Sequence, residues 1–358
     1  MAVLYRDREG LTIKILIYAD PLIPPALIKS TLERRVKNVE SLQFELFEMN
    51  MFARRKKKPQ LSDVREYWGD PQDIIDRLEG VNVLVVHTAP VTAEVIEAGR
   101  DLEAVACCRG GPVNVNVSAA TERGIPVLYT PGRNADGVAD LAIGLMIAEA
   151  RHIARAHSYL KQGLWKHFPP EKSIELLGKT VGIVGFGNVG RKVSERAKGG
   201  FRMKVLVFDP YVPKEEIEGA GGESVDLETL LRESDFVSLH CRLPPGTKAL
   251  IGEKELLSMK ETAYLINTAR GNALDYAAAY QALKSKRIAG AAFDVYDKEP
   301  ITPDNPLIKL DNVTLTPHIG GMTKEGISLR AVEILSEDLE RLIKGERPKH
   351  VQNPSVYG

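Results

Sequence analysis

Short runs of apolar, β-branched residues alternate along this chain with longer segments in which apolar positions recur every three or four residues. An uninterrupted apolar run suits a strand buried on both faces, and the wider spacing suits a helix buried on one face. The alternation therefore predicts parallel α/β sheets. In the first third, strands are predicted at Thr12–Tyr18, Phe44–Met49, Val81–His87, Leu102–Cys108 and Ile125–Thr130, with helical segments at Pro71–Leu78 and Thr92–Arg100. From Asp136 to about Lys161, the positions Val138, Leu141, Leu145, Met146 and Ile153 predict one long helix that bridges two domains. The two prolines of "HFPPEKS" cannot continue it. A second βα series follows in "TVGIVGFG", "KVLVFD", "DFVSLHC", "AYLINTA", "IAGAAFDV" and "VTLTPH". A last helical stretch, Lys324–Lys344, comes after that series is complete and is expected to return to the first domain.

At 358 residues the chain exceeds what one core usually organises, which agrees with two domains. Lys plus Arg (48) equals Asp plus Glu (48), so there is no basic excess of the kind that marks a nucleic-acid partner, and a small substrate is expected. The densest basic run, Ala53–Lys58, reads as a solvated loop. The three cysteines, Cys107, Cys108 and Cys241, are odd in number and lack CxxC spacing. They suggest neither a disulfide framework nor a metal site, and they fit a reducing cytoplasm. No stretch of about 18 apolar residues is present, so no membrane span is expected.

The most informative stretch is "TVGIVGFGNVG" (Thr180–Gly190). A strand precedes its glycines and a helical segment, Arg191–Lys198, follows them. Gly185 permits the tight turn, Gly187 lets backbone approach a pyrophosphate, and Gly190 allows close helix-to-strand packing. The phosphates would sit at a helix N-terminus, where free N–H groups and the helix dipole favour anions. The next strand ends at Asp209, close to the spacing of about 20 residues at which a carboxylate takes the ribose hydroxyls. That carboxylate would repel a 2′-phosphate, so NAD is expected rather than NADP.

Three further stretches fall at the carboxyl ends of later strands: "NTARG", "FDVYDKEP" and "TPHIGG". They supply Arg270, Asp294, Glu299 and His318. Each alone reads as a structural ion pair or an ordinary surface group. Together, in a nucleotide-binding domain, a guanidinium, a carboxylate and an imidazole are the set needed to bind an oxo acid and move one proton while a hydride moves.

The ordered set "GFGNVG", "VFDP", "INTARG", "AAFDVYDKEP" and "LTPHIGG" resembles the NAD-dependent D-isomer-specific 2-hydroxyacid dehydrogenases, which include D-3-phosphoglycerate dehydrogenase, glyoxylate reductase and D-lactate dehydrogenase. The resemblance spans most of the chain and is strongest from Leu177 to Gly321. It implies an α/β fold of two doubly wound parallel-sheet domains. A Rossmann cofactor domain, 136–323, would be inserted in a discontinuous flavodoxin-like substrate domain, 1–135 and 324–358. It implies that Arg270 binds the substrate carboxylate and polarises its oxo group, that His318 is the acid/base, and that Glu299 hydrogen-bonds His318. For NAD, it implies that Asn188 and Val189 line the pyrophosphate turn, Thr268 and Ala269 back the nicotinamide ribose, and Cys241 and Thr247 flank the cofactor. Asp294 would lie near the nicotinamide end, with Gly320 and Gly321 in the same set. A homodimer through the cofactor domain is implied as well.

One departure bears on substrate choice. Where the family commonly has a loop like G-x-D-N-I-D, this chain has "RGGPVNVN", Arg109–Asn116: Asn114 is kept, while Val113 and Asn116 replace the two acids. Gly110 and Gly111 leave backbone N–H donors for a carboxylate, and Arg109 adds a positive charge. Nearby, Arg133 and Asn134 stand where many relatives carry apolar residues. These groups read either as polar contacts between domains or as substrate recognition, in which case a phosphorylated or hydroxylated sugar acid suits them better than lactate. The function expected is interconversion of a D-2-hydroxy acid and its 2-oxo acid. The alternative is an NAD-sensing corepressor-like binding protein on the same fold, since the C-terminal binding proteins keep the same Arg, Glu and His. The enzyme is favoured because no peptide-docking extension is evident after Val351.

Overall fold

The computed structural model describes residues 12–36, 42–49, 61–244 and 246–358; the basic run at 53–58 lies outside them. The chain divides into two compact units, Met1–Arg133 with Lys324–Gly358, and Asn134–Thr323.

The first unit is built on β1 (Ile13–Ala19), α1 (Pro25–Arg35), β2 (Leu42–Glu48), α2 (Pro71–Ile75), β3 (Val83–Val86), α3 (Ala93–Ala98), β4 (Ala104–Cys107), α4 (Val117–Glu122) and β5 (Val127–Leu128). Its strands are parallel, in the order β2-β1-β3-β4-β5. β3 and β4 are apolar and buried throughout because both faces are covered; β1 interrupts its buried run only at Lys14, and the edge strand β2 is nowhere fully buried. Asp70, Thr92 and Asn116 cap α2, α3 and α4 by accepting from backbone N–H groups, which is why these short helices start where they do. Strand order reverses between β1 and β3.

The second unit contains α5 (Ala135–Ala150), α6 (Ile153–Lys161), β6 (Thr180–Val184), α7 (Asn188–Phe201), β7 (Lys204–Phe208), α8 (Lys214–Gly219), β8 (Glu223–Ser224), α9 (Leu227–Glu233), β9 (Phe236–Leu239), α10 (Glu253–Ser258), β10 (Tyr264–Asn267), α11 (Tyr276–Lys284), β11 (Gly290–Phe293) and β12 (Val313–Leu315). The parallel sheet runs β12-β11-β10-β9-β6-β7-β8, reversing between β9 and β6.

The long helix predicted from Asp136 to Lys161 is two helices. His152 adopts a left-handed conformation (φ 54°) between α5 and α6, and Ile153, read from spacing as a core position, is half exposed. The break is held by polar partners that periodicity cannot reveal. Buried Glu149 pairs with Arg155 and accepts from the Thr314 hydroxyl, while Arg155 meets His152 Nδ1 at 2.8 Å.

The last helix, α12 (Ala331–Ile343), follows a wider helical segment, Glu325–Arg330. Its Ala331, Val332, Leu335, Leu339 and Leu342 share a core with Ile15, Ile17 and Val83 of the first unit's sheet. This is where the closing segment predicted at Lys324–Lys344 buries its apolar stripe.

Candidate active site

The glycine turn lies at the carboxyl end of β6, beside the reversal of strand order where open α/β sheets bind ligands. Gly185 has φ 96°, and a Cβ there would stand 2.7 Å from the backbone nitrogen of Cys241. A Cβ on Gly190 would stand 2.1 Å from Gly185 O, so strand and helix approach closer than any side chain permits. Gly187 faces open space, and no side chain caps the α7 N-terminus that begins at Asn188 and Val189. Asp209 folds back on this turn: its Oδ2 accepts from Phe186 N at 2.7 Å and its Oδ1 from Tyr211 N at 2.8 Å. Thr268, at the end of β10, is buried with a hydroxyl that has no partner, and the N–H of Ala269 is held by Asn267 Oδ1 at 3.1 Å. Cys241 is half-buried against the turn, whereas Thr247 is exposed in the loop beyond it. A glycine cradle, uncapped helix N–H groups, a carboxylate at the next strand end and an orphaned buried hydroxyl fit a dinucleotide.

The three reactive groups predicted from the strand ends all lie in the second unit, and two of them touch. His318 Nδ1 is 2.7 Å from Glu299 Oε2, and Glu299 Oε1 accepts from Tyr296 N at 2.9 Å. The carboxylate is thereby oriented before it orients the ring. His318 sits at φ 55° with its side chain 47% exposed. Buried Asp294 builds that bend: its Oδ1 accepts from Thr316 Oγ1 at 2.6 Å and Ile319 N at 2.8 Å, and its Oδ2 from Gly320 N at 2.8 Å. A Cβ on Gly320 would stand 3.0 Å from Asp294 Oδ2, and one on Gly321 2.7 Å from Asn134 Nδ2. Arg270 is exposed just past β10, with its carbonyl held by Asn267 Nδ2 at 3.2 Å and its Nη1 donating to Ala269 O at 2.7 Å. The other histidine at this edge, His240, is pushed down to about 3 by burial, so it is neutral and no proton donor near neutral pH.

In the first unit, Arg109 pairs with Glu66, and Arg133 Nη1 donates to Ile327 O at 3.0 Å, tying the β5 end to the C-terminal segment. Gly110 and Gly111 are part-exposed at the β4 end. Asn114 is structural: its amide donates to His87 O (3.1 Å) and Ala89 O (2.7 Å). Sequence reasoning missed a buried cluster beside it. Asp20, following β1, accepts from Thr88 Oγ1 at 2.6 Å and lies 2.8 Å from His87 Nδ1, both following β3. The available signal was a polar residue directly after each of two buried strands. Among the described residues no cluster of His, Cys, Asp and Glu is arranged to hold a metal, and no helix is long and apolar enough to cross a membrane.

Residues 143–320 match the family model for the D-isomer specific 2-hydroxyacid dehydrogenase NAD binding domain. A glyoxylate reductase of Korarchaeum cryptofilum is 43% identical over 287 residues, covering 79% of this chain and 86% of that protein. A D-3-phosphoglycerate dehydrogenase of Methanocaldococcus jannaschii is 41% identical over 286 residues; the match covers 79% of this chain and only 53% of that protein. The chain thus spans about half the length of the D-3-phosphoglycerate dehydrogenase relatives it matches, at 53% and 54% in two archaeal cases. Among solved structures, the TT0316 protein of Thermus thermophilus superposes with a TM-score of 0.73 at 32% identity, over 95% of this chain and 100% of that one.

Proposed function

Since the chain belongs to the D-isomer specific 2-hydroxyacid dehydrogenases, we propose that it interconverts a D-2-hydroxy acid and its 2-oxo acid with NAD as the hydride carrier. The observation that carries this reading is the 2.7 Å contact between His318 and Glu299, in the same unit as the glycine turn. NAD, when bound, supplies or accepts the hydride. Gly185, Gly187, Asn188, Val189 and Gly190 would hold its pyrophosphate and Asp209 its ribose, Cys241 and Thr247 would flank it, Thr268 and Ala269 would back the nicotinamide ribose, and Asp294, Gly320 and Gly321 would lie toward the nicotinamide end.

Arg270 grips the substrate carboxylate with a planar fork and draws electron density from the adjacent oxo group. In reduction, the imidazolium of His318 gives its Nε2 proton to the C2 oxygen, and in oxidation the neutral ring takes that proton back. Glu299 accepts at Nδ1, so it selects the tautomer whose Nε2 is available and stabilises the ring when it is charged. Residues 1–133 and 324–358 act as the substrate domain.

We place the protein in the cytoplasm, on the strength of three unpaired thiols. A homodimer through the second unit is supported by exposed apolar groups on and after α6: Ile153 51%, Leu160 57%, Leu164 51% and Trp165 80%. The direct test follows NADH oxidation with glyoxylate, hydroxypyruvate, pyruvate, 3-phosphohydroxypyruvate and longer aldonic 2-oxo acids. Turnover of at least one is expected and should vanish in His318→Ala; no turnover of any would sink the reading.

A further inference from the structure

α6 buries none of its own residues. Its apolar side chains Ile153 and Leu160 are more than half exposed, and the chain runs on from it to the exposed Leu164 and Trp165. Among the described residues, Arg155 ties this helix to the sheet behind it. The guanidinium pairs with Glu149 near the end of α5, donates from Nε to Asp311 O just before β12, and reaches His152 Nδ1 at 2.8 Å. The other ring nitrogen of His152 donates to Lys172 O at 2.8 Å, and the ring stacks on Phe168 with centroids 4.5 Å apart. One carboxylate, one guanidinium and one imidazole thus join α5, α6, the start of β12 and the loop that follows α6.

The imidazole is the uncharged member. Because Nδ1 accepts from Arg155 and Nε2 donates to Lys172 O, the ring is neutral, and a second proton would point at the guanidinium. Burial, together with the charges of Arg155 and Lys172 and against the hydrogen bond to Lys172 O, holds it below its ordinary range. Glu149 is the member whose charge changes near neutral pH. Its side chain is fully enclosed: Thr314 Oγ1 donates to one oxygen, Arg155 to the other, and a Cβ on Gly290 of β11 would stand 2.7 Å from Oε2. Tyr264 of β10 also faces it and stays neutral, its hydroxyl pushed up by burial and by Glu149. Burial raises the Glu149 carboxyl to about 7, so both of its charge states are populated near neutrality.

Those two states differ in what Arg155 meets. The Thr314 hydroxyl donates to a carboxylate and can turn to accept from a carboxylic acid, so Glu149 keeps that partner in either form. Arg155 has no such choice. Once Glu149 is protonated, the guanidinium faces a neutral acceptor, and a charge-assisted hydrogen bond is roughly twice as strong as a neutral one. Since Arg155 favours the ionised carboxylate, a proton on that carboxylate must by linkage disfavour the docked Arg155.

We propose that Glu149 is a proton-operated latch for α6: as a carboxylate it holds Arg155, and the helix with it, against the sheet, and as a carboxylic acid it releases them. The apolar surface of Ile153, Leu160, Leu164 and Trp165 is then firmly presented on the alkaline side of neutrality and loosely on the acid side. The latch involves no turnover, so it stands or falls apart from the oxidoreductase reading.

Amide hydrogen exchange of the full chain, followed peptide by peptide and corrected for the intrinsic pH dependence of exchange, reads the latch directly. Between about pH 8.5 and about pH 5.5 the protection of α6 relative to α11 should fall by about tenfold, the change that one pKa unit of coupling produces. Glu149→Gln, uncharged at every pH, should hold α6 at the acid level throughout. Arg155→Gln should abolish the pH dependence as well; Arg155 is less buried than Glu149, so this variant tests the latch even if Glu149→Gln does not fold. His152→Gln keeps both members of the pair and should retain the dependence. A wild-type ratio that ignores pH overturns the proposal, as does a ratio that still follows pH in Glu149→Gln or Arg155→Gln. Loss of the dependence in His152→Gln with its survival in Glu149→Gln would assign the response to the imidazole and overturn it too.

Discussion

The carbonyl oxygen of Tyr296 occupies the place that a side chain on Gly271 would need: a Cβ built there stands 1.9 Å from it. The backbone next to Arg270 and the backbone that leads to Glu299 therefore meet with nothing between them. Tyr276 braces the same junction, donating from its hydroxyl to Val295 O while accepting from Asn267 Nδ2 at 3.2 Å. The guanidinium and the carboxylate–imidazole pair share one rigid support.

Gly271→Ala should therefore damage both groups at once. A backbone clash cannot be relieved by a rotamer change, so a cost of about 1–3 kcal/mol is expected, with Tm lower by several degrees and kcat/KM lower as well. Thermal unfolding and steady-state kinetics on one preparation check this; a wild-type Tm would show that the two turns separate easily.

Arg270→Lys should raise KM and lower kcat together. An ammonium keeps the charge but cannot reproduce the planar two-point grip on a carboxylate. Unaltered kinetics would mean that the carboxylate is held elsewhere.

Glu299→Gln removes a negative charge 2.7 Å from the His318 ring while keeping an acceptor. The amide oxygen still accepts from Nδ1–H and keeps the ring oriented, but the charge that favours proton transfer through Nε2 is gone, so kcat should fall by about tenfold with KM little changed. Appreciable activity should survive, whereas His318→Ala should lose several orders of magnitude. Steady-state kinetics in both directions check this; a wild-type kcat in Glu299→Gln would show that Glu299 is not the partner that matters.

Asp209 acts toward the cofactor and also holds the backbone, its Oδ2 accepting from Phe186 N and its Oδ1 from Tyr211 N. Asp209→Ala would confound the two by leaving both N–H groups without their acceptor. Asp209→Asn removes the charge that repels a 2′-phosphate and keeps one of the two acceptor oxygens, the other being needed by Tyr211 N, so it should narrow the preference for NAD over NADP with a smaller loss of Tm than Asp209→Ala. Equal kcat/KM for the two cofactors in the wild type would defeat the premise.

Glu149 gives the fold a pH dependence of its own. Burial raises it from its ordinary 4.5 to about 7, against the opposing pull of Arg155 and the Thr314 hydrogen bond. Its folded-state affinity for a proton exceeds the unfolded one. The stabilisation is thus fully present below about pH 4.5 and lost as pH rises through about 7. Glu149→Gln carries no such proton, so its Tm should gain on the wild type's between pH 5 and 8; parallel curves would refute this.

Much was legible in the sequence where the deciding contacts are local. The strand, glycine turn and helix at Thr180–Gly190 were readable because strand, turn and helix N-terminus are contiguous, so residue spacing alone specifies the geometry. The parallel α/β class was readable for a related reason: burial on both faces makes strands apolar along their whole length. The edge strand Glu223–Ser224 was not, since two residues carry no period. The helix break at His152 was invisible because apolar spacing continues through it, while the partners of Glu149 come from Arg155 and from Thr314 on a distant strand. Asp20 and His87 are 67 positions apart, and only strand order places them side by side. Proximity within a segment is encoded by the order of its residues; proximity across segments depends on which strands lie adjacent, and only the folded chain decides that.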